Sequence, residues 1–110
     1  MPHVAVIGAG LIGRSWGIVF ARGGFDVALY DAGAGVADAA RGLVAEGLSE
    51  LAAQGLVGDA AAAARRVRAA YSIADALTGA ELVQENLPEN LQLKREMFAE
   101  LDRQIGRAHV

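Results

Sequence analysis

A chain of 110 residues and 11.4 kDa has room for one small domain and not for two. Its 54% hydrophobic and 21% charged residues exclude intrinsic disorder, and a net charge of −3 gives a nucleic-acid partner no electrostatic support. The absence of cysteine removes disulfide scaffolds, thiol catalysis and cysteine-based zinc sites.

Residues 3–7, HVAVI, form a short apolar β-branched run and are predicted to be a strand buried on both faces. A glycine cluster follows, then a predicted helix over 11–22 with Ile12, Trp16, Val19, Phe20 and Gly23 at helical spacing and Trp16 and Phe20 as a core pair. Gly23-Gly24 stops it, and residues 25–30 read as a second strand that ends at Asp31. Residues 34–54 are predicted helical, with Val36, Ala40, Leu43, Leu48 and Leu51 on the apolar face and Gly47 a weak point on it. Asp59 is a suitable N-cap for a short alanine helix through Arg66. A third strand over 67–71, a helical turn begun by Ser72 or Asp75, and a fourth strand over 81–85 come next. Pro88, whose missing N–H has no partner in a first turn anyway, opens a helix over 89–103. Residues 105–110 break that pattern. They match the translation of a common sequencing-adapter read and are taken as a non-native tail, which sets His109 aside.

Alternating strands and helices imply parallel strands joined by crossover helices. No apolar stretch reaches the roughly 20 residues of a bilayer span. The start Met1-Pro2-His3 lacks the basic region of a signal peptide, so a cytoplasmic protein is expected.

Gly8-Ala9-Gly10-Leu11-Ile12-Gly13 is a G-x-G-x-x-G run placed directly after a buried strand and at the start of an amphipathic helix. That context is what a dinucleotide loop requires. Gly8 permits the tight turn, Gly10 lets main chain approach a pyrophosphate, and Gly13 allows close helix packing. The N–H groups and dipole of the helix start then favour phosphate. Asp31 lies eighteen residues after Gly13, at the end of the second strand. There a carboxylate accepts hydrogen bonds from the adenosine ribose hydroxyls and repels a 2′-phosphate; the plain alternative is a turn or cap residue. No arginine follows within residues 32–35, so NAD is expected over NADP. FAD proteins share this first strand–helix–strand unit, so the fingerprint alone leaves the chemistry open. The fold class expected is α/β, a doubly wound parallel sheet of the Rossmann type, cut off after about four of its six strands.

The second block, residues 83–94 (VQENLPENLQLK), ends the fourth strand and begins the last helix, beside the glycine loop. On spacing alone, Glu89 and Lys94 are as well explained by a solvated helix start. The segment resembles the 3-hydroxyacyl-CoA dehydrogenase family, whose NAD-binding domain carries a strand-Glu-x-x-x-Glu-Asn-Leu-x-x-Lys turn. Residues Gly13-Arg14-Ser15-Trp16, Phe20-Ala21, Gly23-Gly24-Phe25 and Leu29-Tyr30-Asp31 are similar to its lambda-crystallin, L-gulonate 3-dehydrogenase branch. The resemblance runs from residue 3 to about 103 and implies NAD as cofactor. It places Leu11 and Ile12 against the cofactor, Asp31 on the ribose, and Glu89 and Lys94 among further NAD contacts.

Family members that use coenzyme A carry Ser and Lys on the helix after the second strand. The matching positions here are Gly47 and Gln54, and Arg41 is the only base within 32–58, so a small hydroxy acid gains weight over a CoA ester. The family's catalytic His, its partner Glu and the substrate-side Ser and Asn have no counterpart among these residues. No catalytic or metal-ligating residue is therefore assigned: His3 is a strand-end residue, and nothing makes Glu85 or Asn86 catalytic. The expected organisation is a partial NAD-binding domain over 1–104, with the catalytic remainder and a helical domain beyond it. The parent is expected to be a homodimeric oxidoreductase of small molecules, without nucleic-acid or membrane partners, and this fragment inactive. Alternatives are a non-catalytic, crystallin-like dinucleotide-binding protein and an FAD enzyme, the latter disfavoured by the second block.

Overall fold

The computed structural model describes residues 2–87 and 91–103. Five helices and four strands alternate as expected: β1 (His3–Ile7), α1 (Leu11–Arg22), β2 (Asp26–Tyr30), α2 (Val36–Ala53), α3 (Ala60–Arg65), β3 (Val67–Ala69), α4 (Ile73–Leu77), β4 (Leu82–Glu85) and α5 (Leu91–Arg103). The third strand is shorter than its apolar run: the Ala70 N–H still reaches the Leu29 carbonyl of β2 at 2.7 Å, but the Tyr71 N–H turns to the Asp75 carboxylate of α4. Pro88 and Glu89 lie outside the described residues, as do 104–110 with the expected tail.

The strands form one sheet in the order β3-β2-β1-β4, with every neighbour parallel. The chain builds from β1 outward to β3, then crosses back to lay β4 on the other side of β1. These are the first four strands of the doubly wound order 3-2-1-4-5-6, in which the fourth strand lies across the point where the order reverses. Helices therefore cover both faces, and the strands read as continuous apolar runs. Alternate residues go to opposite layers. Val4, Val6, Val27 and Leu29 pack with Ala40, Val44 and Leu48 of α2 and Ala63 of α3. Ala5, Ile7 and Ala28 pack with Ile73 and Leu77 of α4 and Met97 of α5.

Helix starts follow local chemistry. The Asp59 side chain accepts the Ala62 N–H at the start of α3, and Ser72 accepts the Asp75 N–H at the start of α4. The Asp75 carboxylate in turn accepts the Tyr71 N–H and meets the Arg68 guanidinium at 3.0 Å. These two contacts, the backbone one first, hold its carboxyl below the usual carboxylate range.

Two helix faces differ from the apolar patterns in the sequence. On α1 the buried residues are Gly13, Gly17 and Ala21, whereas Ile12 is 65% and Val19 53% exposed. The reason is distance: a helix this close to the sheet must present small residues to it, and a Cβ on Gly17 would already touch Val44 and Leu29. Trp16 is not in the core; it is exposed and stacks on Phe20, with ring centroids 5.7 Å apart. On α2 the inward row is Ala37, Ala40, Val44 and Leu48, leaving Leu43 on the outside. Gly47 faces Ile18 of α1, where a Cβ would crowd the isoleucine tip at 2.6 Å.

Candidate cofactor site

The sheet register determines the site. Ile7 of β1 lies level with Tyr30 of β2 on one side and Glu85 of β4 on the other. The next residues, Gly8, Asp31 and Asn86, therefore stand side by side where the three strands end. The Gly8 N–H donates to the Tyr30 carbonyl at 2.8 Å and the Asn86 N–H to the Ile7 carbonyl at 2.9 Å, so the row is tied across the sheet.

Gly8 has φ +99°, the left-handed region that favours glycine, and lies against the Asn86 main chain. Five residues on, a Cβ at Gly13 would sit 1.9 Å from the Gly8 carbonyl oxygen. The first helical turn folds back onto the glycine turn, and only glycine fits. Gly10 is different: among the described residues no other part of the chain comes within 4 Å of its missing Cβ. Gly10 is the N-cap of α1, and among the described residues no side chain caps the helix. The first intrahelical bond is Arg14 N–H to Gly10 carbonyl, 2.9 Å. The N–H groups of Leu11, Ile12 and Gly13 precede it and lack intrahelical acceptors. Gly8, Gly10, Leu11, Ile12, Gly13, Asp31, Ala32, Asn86 and Leu87 together line a cleft of about 500 Å³.

Asp31 is aimed at the glycine turn. Its Oδ2 accepts the Ala9 N–H and its Oδ1 the Gly33 N–H, both at 2.8 Å. From the other side the Asn86 side chain reaches the Gly8 carbonyl at 3.4 Å. Asn86 was expected beside the glycine loop, but its contact with the Gly8 carbonyl and the tie from Asp31 to Ala9 were missed in the sequence; strand register was the signal, and it is not written in any one segment.

Six of the eight expected cofactor residues thus share one cleft. Lys94 is half-buried in the first turn of α5 and does not line it, and Glu89 lies outside the described residues. Ser15 spends its hydroxyl on the Leu11 carbonyl at 2.9 Å. His3 stands at the opposite end of the strands, 3.8 Å from Asp26. Among the described residues no group of acids and histidines is arranged to hold a metal, and no helix is long and apolar enough to cross a membrane.

An uncapped helix start facing a cleft, a glycine with open space before it and an acid at the neighbouring strand end fit a dinucleotide. The family model for the 3-hydroxyacyl-CoA dehydrogenase NAD-binding domain matches residues 3–110. The chain belongs to this family. It carries the family's NAD-binding domain, on a Rossmann-type α/β sheet. Among its relatives is a lambda-crystallin homolog from Mus musculus, 40% identical over 104 residues, which covers 91% of this chain and 32% of that protein. L-carnitine dehydrogenase from Streptomyces griseus is 35% identical over 100 residues, covering 91% of this chain and 29% of that protein. Among solved structures, 3-hydroxybutyryl-CoA dehydrogenase from Escherichia coli superposes with a TM-score of 0.79 at 31% identity, over 93% of this chain and 22% of that one. The chain thus spans about a third of the length of the curated relatives it matches.

Proposed function

We propose that this chain is the cofactor-holding part of a dehydrogenase that removes hydride from the C3 hydroxyl carbon of a small 3-hydroxy acid. Bound NAD would supply the hydride acceptor. The chain's own residues bind and orient it. The N–H groups of Leu11, Ile12 and Gly13 hold the pyrophosphate at the start of α1, Gly10 leaves room for it, and Asp31 holds the adenosine ribose. The family resemblance adds Glu89 and Lys94 as further contacts, although Lys94 does not line the cleft itself. The observation that carries this reading is the Asp31 carboxylate turned onto the glycine loop, so that ribose and pyrophosphate positions are adjacent.

The free acid is preferred to the CoA ester because α2 offers little to a CoA phosphate. Gly47 is occupied by Ile18, Gln54 ends the helix, and Arg41 is its only base. Taking the hydroxyl proton needs a base near the nicotinamide. His3 stands at the far end of the sheet, so this segment alone binds cofactor and catalyses nothing.

Calorimetric titration of the chain tests the reading. Saturable binding of NAD, with NADP at least about tenfold weaker, is expected. Equal or tighter binding of NADP contradicts the role given to Asp31.

A further inference from the structure

One peptide group of the glycine turn is held at both edges by side chains from different strand ends. It joins Gly8 to Ala9. Its oxygen, the Gly8 carbonyl, accepts the Asn86 side-chain amide at 3.4 Å, and its N–H, on Ala9, donates to Asp31 Oδ2 at 2.8 Å. Gly8 and Ala9 are both buried, so a polar group here that loses its partner has no water to replace it.

The Asn86 amide is itself oriented. Gln84 Nε2 donates to Asn86 Oδ1 at 3.3 Å, which directs the NH2 group toward Gly8. A Cβ at Gly13 would stand 3.5 Å from Asn86 Nδ2, so the amide lies against the first and the third glycine of the fingerprint. The Asn86 main chain is fixed as well, by its N–H on the Ile7 carbonyl. The groups form a chain: Asn86 NH2 to the Gly8 carbonyl, across the peptide to the Ala9 N–H, and on to the Asp31 carboxylate. A peptide is planar, so its two edges turn together. A donor on the oxygen keeps the N–H aimed at Asp31 and strengthens it as a donor. Gly8, at φ +99° and without a Cβ, offers little resistance of its own to rotation of this peptide.

We infer that Asn86 is a positioning residue: through the Gly8–Ala9 peptide it sets the Asp31 carboxylate in place for the adenosine ribose, from the opposite side of the glycine turn. No contact of its own with Asp31 is needed. The inference rests on the reading that Asp31 holds that ribose.

The test uses two probes, AMP and 2′-deoxyAMP, which differ only by the 2′-hydroxyl offered to Asp31. The ratio of their affinities reads the grip of the carboxylate and is blind to a general loss of binding. Calorimetry of the wild-type chain should give a preference for AMP of about tenfold or more. Asn86→Asp is isosteric and lacks the NH2 donor, and Asn86→Ala lacks the whole amide. In both the preference should fall at least about threefold. The charge added by Asn86→Asp acts on both probes alike. In the unliganded variants the Ala9 amide proton should move upfield as its hydrogen bond to Asp31 loosens. A fold merely weakened by substitution lowers both affinities and leaves the ratio unchanged. A ratio that stays at the wild-type value in whichever variant folds, or an Ala9 signal that does not move, overturns the role of Asn86 alone. Equal binding of the two probes by the wild-type chain is a different failure: it overturns the reading of Asp31 as the ribose acid, and this inference with it.

Discussion

Gly10 and Gly13 are three residues apart and are glycine for different reasons. At Gly13 the chain itself forbids a side chain, since a Cβ would sit 1.9 Å from the Gly8 carbonyl oxygen. Gly13→Ala should therefore push α1 off the sheet and lower the thermal midpoint by about 4–8 °C or more, as each kcal/mol lost does in a chain this small. At Gly10 nothing among the described residues lies within 4 Å, and φ −72° with ψ −161° suits any residue. Gly10→Ala should leave the midpoint within about 2 °C of wild type and weaken NAD about tenfold, because its methyl group occupies the space kept for the pyrophosphate. Differential scanning fluorimetry beside calorimetry separates the two. At this scale much of the site was legible. The G-x-G-x-x-G spacing named both glycines, and Asp31 was found by its distance from them. The tie from Asp31 to the Ala9 N–H was not legible, because it depends on β1 and β2 ending level.

The elements follow the sequence patterns closely where burial is two-sided. A run such as Val4-Ala5-Val6-Ile7 has no polar face to misplace, and β1 ends where the glycines begin. The helices were less legible, because which apolar residues turn inward depends on how near the sheet lies. α2 shows it directly. Leu48 is fully buried and Leu43 is 43% exposed, although both fit one apolar stripe. Leu48→Ala should cost about 2–5 kcal/mol in denaturant unfolding, and Leu43→Ala about 0.5 kcal/mol or less. Equal losses would restore the stripe read from the sequence. The corner between β3 and α4 gives a pH prediction. The Asp75 carboxyl is held below its ordinary range by the Tyr71 N–H and by Arg68. A carboxyl depressed by folding contributes stability above its unfolded value and loses it as pH falls through the folded one. Asp75→Asn should accordingly be less stable than wild type at neutral pH. The gap should close in acid, below the ordinary carboxylate range, when melts are compared across pH.

Across the whole molecule, β4 is an edge of the sheet, and its Leu82 is 37% exposed. Leu11, Ile12, Trp16 and Val19 of α1 add an uncovered apolar surface beside it. An exposed strand edge pairs readily with another chain. Sedimentation of the 110-residue chain should show association that grows with concentration, and Leu82→Lys should reduce it. A wild-type chain that stays monomeric throughout would contradict this. Alternation made the parallel sheet legible, and the glycine fingerprint made its doubly wound strand order legible. The central claim concerns one end of the sheet, and amide chemical shifts test it most directly. On titration with NAD, the N–H signals of Gly8 through Gly13 and of Gly33 should move together and saturate. Shifts confined to the opposite end, around His3 and Asp26, or none at the glycine turn, would contradict it.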